Sequence, residues 1–273
     1  MTARSPLVVL LLLLASCPCA GAADEKDAAA KENLQAERLE FMKSSAAGYR
    51  FTADDASQRE LLMVAEPLLR WTNEVSGLQD GTLFLWTEKS GRPAAAAQVF
   101  LTADNLWLHE FQSLSEGPFK AQRDDKPVWE PAREGVSFQK LAGAPPPAAT
   151  AVKRLAQMRR LADRFTANDE FEGKSRWELR LLAKPLLRYA EEKSDLLDGA
   201  MFALAHGTDP EVFILLEARK AGGDYSWHYA LAPMTGYALK VQLDGKEIWE
   251  VQWRKGPYKP TDPFFITVYK KGA

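Results

Sequence analysis

The apolar positions of this chain keep two rhythms. From Val152 through Leu155, Ala156, Met158 and Ala162 to Phe165 they recur every three or four residues, with Lys153, Arg160 and Arg164 on the other side. That spacing predicts an amphipathic helix, because the turn of an α-helix brings such positions onto one face. Leu39, Met42, Ala46 and Tyr49 show the same rhythm earlier, with Gly48 weakening its end. After each helical stretch the period drops to two. Trp177, Leu179 and Leu181 alternate with Glu178 and Arg180, as in a half-buried strand. Further strands are predicted at 199–206, 211–219, 226–233, 237–243 and 246–252, and Asp244-Gly245 between the last two marks a hairpin. FFITVY at 264–269 adds a final strand.

One stretch is written twice, as EPLLRW at 66–71 and KPLLRY at 184–189. Around it, Glu60–Thr87 aligns with Glu178–Ala205 at 13 identical positions of 28. The identities include Pro67/Pro185, Arg70/Arg188, Asp80/Asp198, Gly81/Gly199 and Phe84/Phe202. FTADD at 51–55 matches FTAND at 165–169, Trp107 falls on Trp227, and VWE at 128–130 falls on IWE at 248–250. The unit recurs after about 115–120 residues, a domain-sized period far longer than a solenoid repeat. The final strand at 264–269 has no evident counterpart in the first copy. Proline has no amide hydrogen for a ladder, so the shared proline is expected at an edge or bulge. Such a bulge is expected to return Leu187 and Tyr189 to the face of Leu179 and Leu181, leaving Arg188 free to meet Asp198 or a backbone carbonyl. Pro67, Arg70, Asp80 and Gly81, with Pro185, Arg188, Asp198 and Gly199, are therefore read as a structural bend written twice.

Between the copies lies GAPPPAAT at 143–150, whose three prolines favour an extended spacer. The expected division is a signal peptide at 1–22, a charged, alanine-rich tether at 23–33, repeat domains at 34–142 and 151–273, and this linker. The expected fold class is α+β: two tandem related domains, each an N-terminal helix packed on a curved antiparallel β-sheet. Two β-sandwich-like domains are the alternative.

The N-terminus sets the compartment. Arg4, an apolar run from Leu7 to Ala15 and a string of small residues follow the order of a secretory signal. As a helix that run reaches about 14 Å, against roughly 30 Å for a hydrocarbon core, so no transmembrane span is expected. Cleavage after Ala22 would leave a mature chain without cysteine, hence without disulfides or a thiol nucleophile. Leu14-Ala15-Ser16-Cys17 resembles a lipobox and offers the alternative of a lipid anchor at Cys17. The expected location is periplasmic or secreted, or else that of a lipoprotein. Formal charge is -2, and removing Arg4 takes it to about -3, without the basic excess that a nucleic-acid binder needs.

Candidate chemistry is sparse. The histidines are His109, His206 and His228, and no pair has metal-ligand spacing, so neither a metal nor another cofactor is expected. The loop HGTDPE at 206–211 joins an imidazole, two carboxylates and turn residues. His206 as a general base positioned by Asp209, with His228 nearby, would be a hydrolase site. The same residues also spell an ordinary turn, and the first copy has EKSGRP there. No nucleophile elbow, P-loop or dinucleotide fingerprint is present. Trp107/Trp227 and Trp129/Trp249 recur within strand patterns and read as core, whereas Trp253 lies beyond the repeat and is the expected exposed ring. The sequence leans away from an enzyme and towards a non-catalytic binding or interaction protein of the cell envelope. Its partner would be an envelope protein or a small ligand, and the hydrolase stands as the alternative.

The run ELRLLAKPLLRY, then LLDGAMFALAHGTDPEVFILLEAR and WHYALAPMTGYALKV, resembles a family of exported proteins found mainly in planctomycete bacteria. The resemblance rests on the proline-kinked strand, D-G-A-x-F-A, G-T-D-P-E-V and W-x-Y-A, covering about 80 residues of the second copy. It implies export and the repeated unit, and no particular activity.

Overall fold

A computed structural model describes residues 20–54, 58–73, 77–171, 173–190 and 195–269. Cys17 and the apolar run of the expected signal lie outside them, as does Asp55 of the FTADD match. The described chain divides between Glu40 and Phe41 into two compact units. Helix α1 spans Ala20–Ala47, and in the smaller unit Leu34 on it is half exposed. From Phe41 onward α1 belongs to the larger unit, where Met42 and Ala46 are fully buried. Among the described residues no helix is long and apolar enough to cross a membrane.

The larger unit is mostly antiparallel β-structure. Its first half carries β1 (Tyr49–Ala53), β2 (Glu60–Met63), β3 (Leu69–Asn73), β4 (Leu78–Thr87), β5 (Pro93–Leu101), β6 (Trp107–Ser113), β7 (Phe119–Arg123) and β8 (Lys126–Trp129). A two-residue β9 (Gln139–Lys140) and α2 (Ala151–Ala162) follow. The second half carries β10 (Phe165–Phe171), β11 (Ser175–Leu181), β12 (Leu187–Tyr189), β13 (Leu196–His206), β14 (Asp209–Ala221), β15 (Asp224–Pro233), β16 (Ala238–Leu243) and β17 (Lys246–Val251), before the closing β18 (Phe264–Tyr269). These make two curled nine-stranded sheets. One runs β18-β6-β5-β4-β2-β1-β7-β8 with β3 beside β4, and the other runs β9-β15-β14-β13-β11-β10-β16-β17 with β12 beside β13. The orders correspond strand for strand. The outer strand of each sheet comes from the far end of the other half's run: β18 pairs with β6, and β9 pairs with β15. The strand at 264–269 thus has a positional counterpart in Gln139–Lys140, too short to register as a repeat in sequence.

Strands β13 and β14 are apolar without alternation because both their faces are covered. Ala200, Phe202, Leu204, Val212, Ile214 and Leu216 face α2, packing with its Met158, Leu161 and Ala162. Met201, Ala203, Phe213 and Leu215 face the first half and form one layer with Leu83, Leu85 and Ala96. On α2 the buried stripe is Arg154, Gln157, Met158, Leu161 and Ala162, while Val152 is 79% exposed. The expected apolar face is therefore rotated: buried Asp198 draws the guanidinium of Arg154 inward, Nε to Oδ2 at 2.7 Å. Thr150 caps the helix by accepting from the Lys153 amide. At the predicted hairpin Leu243 pairs with Lys246, and Asp244 and Gly245 both take positive φ, 52° and 78°.

The repeated bend has the same anatomy in both halves. Leu68 N donates to Leu83 O and Leu186 N to Met201 O, and the adjacent prolines sit outside the ladders. Arg70 grips Asp80 through Nε at 2.9 Å and Nη2 at 2.6 Å; Arg188 grips Asp198 at 3.0 and 2.7 Å. Arg188 also donates to the Ala151 carbonyl. Gly81 lies opposite Trp71 and Gly199 opposite Tyr189, and a Cβ there would come within 2.4 and 2.5 Å of the ring. The expected face of Leu187 and of Tyr189, which pairs with Gly199 two residues from Met201, is corrected. Leu181 faces Leu204, whereas Leu187 faces Met201, three residues along β13, and an odd step changes the face. Leu187 therefore joins Leu182 and Leu186 in the layer between the sheets, away from Leu179 and the α2 side.

Candidate functional site

The HGTDPE stretch forms a tight hairpin. His206 ends β13 and pairs with Asp209, the first residue of β14, while Gly207 takes φ 62° in the turn. Pro210 sits at a register shift between Leu204 and Ala205, where a missing amide breaks no ladder bond. His206 and Asp209 thus face each other in the ladder, but the carboxylate that meets the imidazole is that of Asp169 and not, as expected, that of Asp209. His228 is not brought to them: it lies on β15 opposite Glu217 and Lys140, with Nδ1 3.1 Å from the Ser226 carbonyl oxygen.

Four carboxylates gather near this hairpin: Glu110 from β6, Asp169 from β10, and Asp209 and Glu211 from β14. Their exposures are 6%, 0%, 6% and 2%. Asp169 Oδ2 is 3.2 Å from His206 Nδ1, and Asn73 at the end of β3 donates to Asp209 Oδ2, also at 3.2 Å. Gln98 on β5 donates to the Pro210 carbonyl. Among the described residues no lysine or arginine pairs with any of the four within 4 Å. Burial raises the pKa of each. The Asp209 charge raises Glu110 and Glu211 further, while Asn73 opposes the rise at Asp209 and His206 the rise at Asp169. The cluster resists full ionisation because like charges in a poorly solvated place repel strongly. One ligand atom each from Asp169, His206 and Glu211 lies within 4.8 Å of the other two, so these three could hold a metal ion.

Glu110, Asp209 and Glu211 line a cavity of about 530 Å³. Trp71, Phe171, Tyr237, Trp253 and Tyr258 supply aromatic walls, and Arg254 and Lys255 supply cations. Phe171 packs on Tyr237 at 4.9 Å and edge-on to Trp253 at 5.8 Å, and Lys255 Nζ lies 4.3 Å from the Trp253 ring centre. Trp253, the ring expected to be exposed, is half-buried because Phe171 and Lys255 pack on it. Burial lowers the pKa of Arg254, against the raising influence of Glu110. A larger cleft of about 690 Å³ shares Trp253, Arg254 and Tyr258, but among its described lining residues no comparable carboxylate cluster occurs.

Sequence reasoning reached His206 and Asp209, took in Glu211 only as the second carboxylate of the HGTDPE loop, and missed Glu110 and Asp169. The available signal was a charge inside an apolar strand, as in WLHEFQS or before VFILL, since an inward charge is the informative exception. The partners, separated by 42 to 101 residues from Asp169 to Glu211 and from Glu110 to Glu211, carry no shared spacing. No protein-family model, curated protein or solved structure matches this chain.

Proposed function

We propose that this is an exported binding protein of the bacterial cell envelope that holds a small, hydroxyl-rich organic ligand, such as a sugar, in the cavity between Trp253 and Glu211. The observation that carries this reading is the lining. Aromatic faces suit the apolar side of a sugar ring, and buried carboxyl groups and Arg254 offer hydrogen bonds to its hydroxyls. The aligned repeat and the corresponding strand orders support a tandem duplication whose halves have diverged at this place. His206 aligns with Glu88 and Glu110 with Ala230, so the site uses residues that the other copy lacks. The Arg4-led apolar leader and the resemblance to exported planctomycete proteins support the location.

A hydrolase is the second reading, favoured by one contact. Asp169 fixes His206 through Nδ1, which orients the ring as a carboxylate orients a general base. Thermal-shift and tryptophan-fluorescence titrations against a panel of mono- and oligosaccharides test the first reading. A saturable response that Trp253→Ala abolishes, with unchanged far-UV circular dichroism, is expected. A panel without any response, or a response indifferent to Trp253→Ala, overturns it. Product release from a bound saccharide, lost in His206→Ala, would move the assignment to the hydrolase.

A further inference from the structure

We propose that Asp169, His206 and Glu211 form a binding site for a divalent first-row transition ion, with zinc as the best fit. The three side chains come from three strands of one sheet, β10, β13 and β14, with β11 between the first two, so their spacing is set by ladder register. Each already brings a donor atom within 4.8 Å of the other two. The His206 Nδ1 to Asp169 Oδ2 separation of 3.2 Å is close to the edge of a tetrahedron around zinc, about 3.3 Å for metal–ligand bonds of roughly 2.0–2.1 Å.

A second observation points to a ligand there. Asp169 is fully buried, yet its Oδ1 has no hydrogen-bond partner, which is costly for a carboxylate oxygen. The Oε1 atom of buried Gln98, beside Asp209 and Pro210, is likewise without one. A cation at the three ligands would satisfy Asp169 and offset the neighbouring Asp209 and Glu110. The Trp177 ring, 5.1 Å from the imidazole of His206, helps to hold its plane.

One imidazole and two carboxylates suit zinc or manganese better than calcium, which takes six to eight oxygens. Glu211 also lines the aromatic cavity, so the site adjoins it. The site stands on its own ligands and does not depend on which organic molecule the cavity accepts.

The test uses the full mature chain, stripped with a chelator and then titrated calorimetrically with Zn²⁺, Mn²⁺ and Ca²⁺ salts, with metal content measured after gel filtration. One equivalent of zinc with a raised melting temperature is expected, with calcium at least tenfold weaker. Asp169→Asn and His206→Ala should each weaken zinc binding at least tenfold, and the exposed-face control Lys246→Ala should leave it unchanged. No zinc binding, equal calcium binding, or folded variants with undiminished affinity would overturn the proposal. Should both variants fail to fold, Co²⁺ added to the unaltered chain decides: tetrahedral visible bands support the site, and a spectrum equal to that of aqueous Co²⁺ overturns it. Saccharide binding can succeed or fail without altering any of these readings.

Discussion

Gly81 and Gly199 hold ordinary strand positions, and what sets them apart is the ring lying across each. At Gly199 an added Cβ would come within 2.5 Å of the Tyr189 ring, a distance that forces a buried aromatic to move. Gly199→Ala is therefore expected to destabilise the protein by about 1–3 kcal/mol through overpacking, read as a lower urea midpoint. His109 carries a different single-residue consequence. It is buried between Ser45 Oγ at 3.1 Å and Tyr49 Oη at 2.6 Å, with Tyr269 stacked at 4.9 Å. Burial first, and then the charge of Arg123, lower its pKa to about 3. An unfolded imidazole titrates near about 6.5, so between those values the unfolded chain holds the extra proton. The stability linked to His109 is present above about pH 6.5 and is lost as pH falls towards 3, by at most about 1.4 kcal/mol per pH unit. Urea unfolding of His109→Gln across that window should show a slope reduced by close to one proton, and an unchanged slope would refute the assignment.

Between elements, the junction is held by a polar network as well as an apolar layer. Glu217 on β14 is fully buried and accepts from Arg92 Nε at 2.9 Å, Arg92 Nη2 at 3.0 Å and Tyr189 Oη at 3.0 Å. Arg219 approaches it at 3.1 Å, and Glu116 shares both guanidiniums. Arg92 belongs to the first half's EKSGRP turn, so the residues standing where the other copy has HGTDPE serve as a clasp between the sheets. Removing one partner of a buried pair leaves the others uncompensated, and Glu217→Ala is expected to cost about 3–5 kcal/mol, measured by urea denaturation. At this scale much was legible in sequence. The doubled proline bend, the Asp244-Gly245 hairpin and the core role of Trp129 and Trp227 follow from neighbours along the chain, and all depend on local rules. Val152 misled because the helix face was set by the ion pair of Arg154 with Asp198, 44 residues further on. The carboxylate cluster was not legible, since Glu110 meets Asp209 and Glu211 only once two sheets have packed.

Across the whole larger unit, the halves are joined by three features. They share the apolar layer of Leu83, Leu85 and Ala96 with Met201, Phe213 and Leu215. Each accepts at its sheet edge a strand from the other's terminal region, β18 on β6 and β9 on β15. The cavity draws Trp71, Glu110 and Ile266 from one sheet and Asp209, Glu211 and Tyr237 from the second half. A cavity lined in this way exists only when both halves are folded against each other. Equilibrium urea unfolding of the protein, followed at once by far-UV circular dichroism and tryptophan fluorescence, tests that dependence most directly. One transition with coincident midpoints in both signals is expected, shifted as a whole by Glu217→Ala. Two resolved transitions, with only one moved by that substitution, would mean that the halves fold separately and that the junction does not build the site.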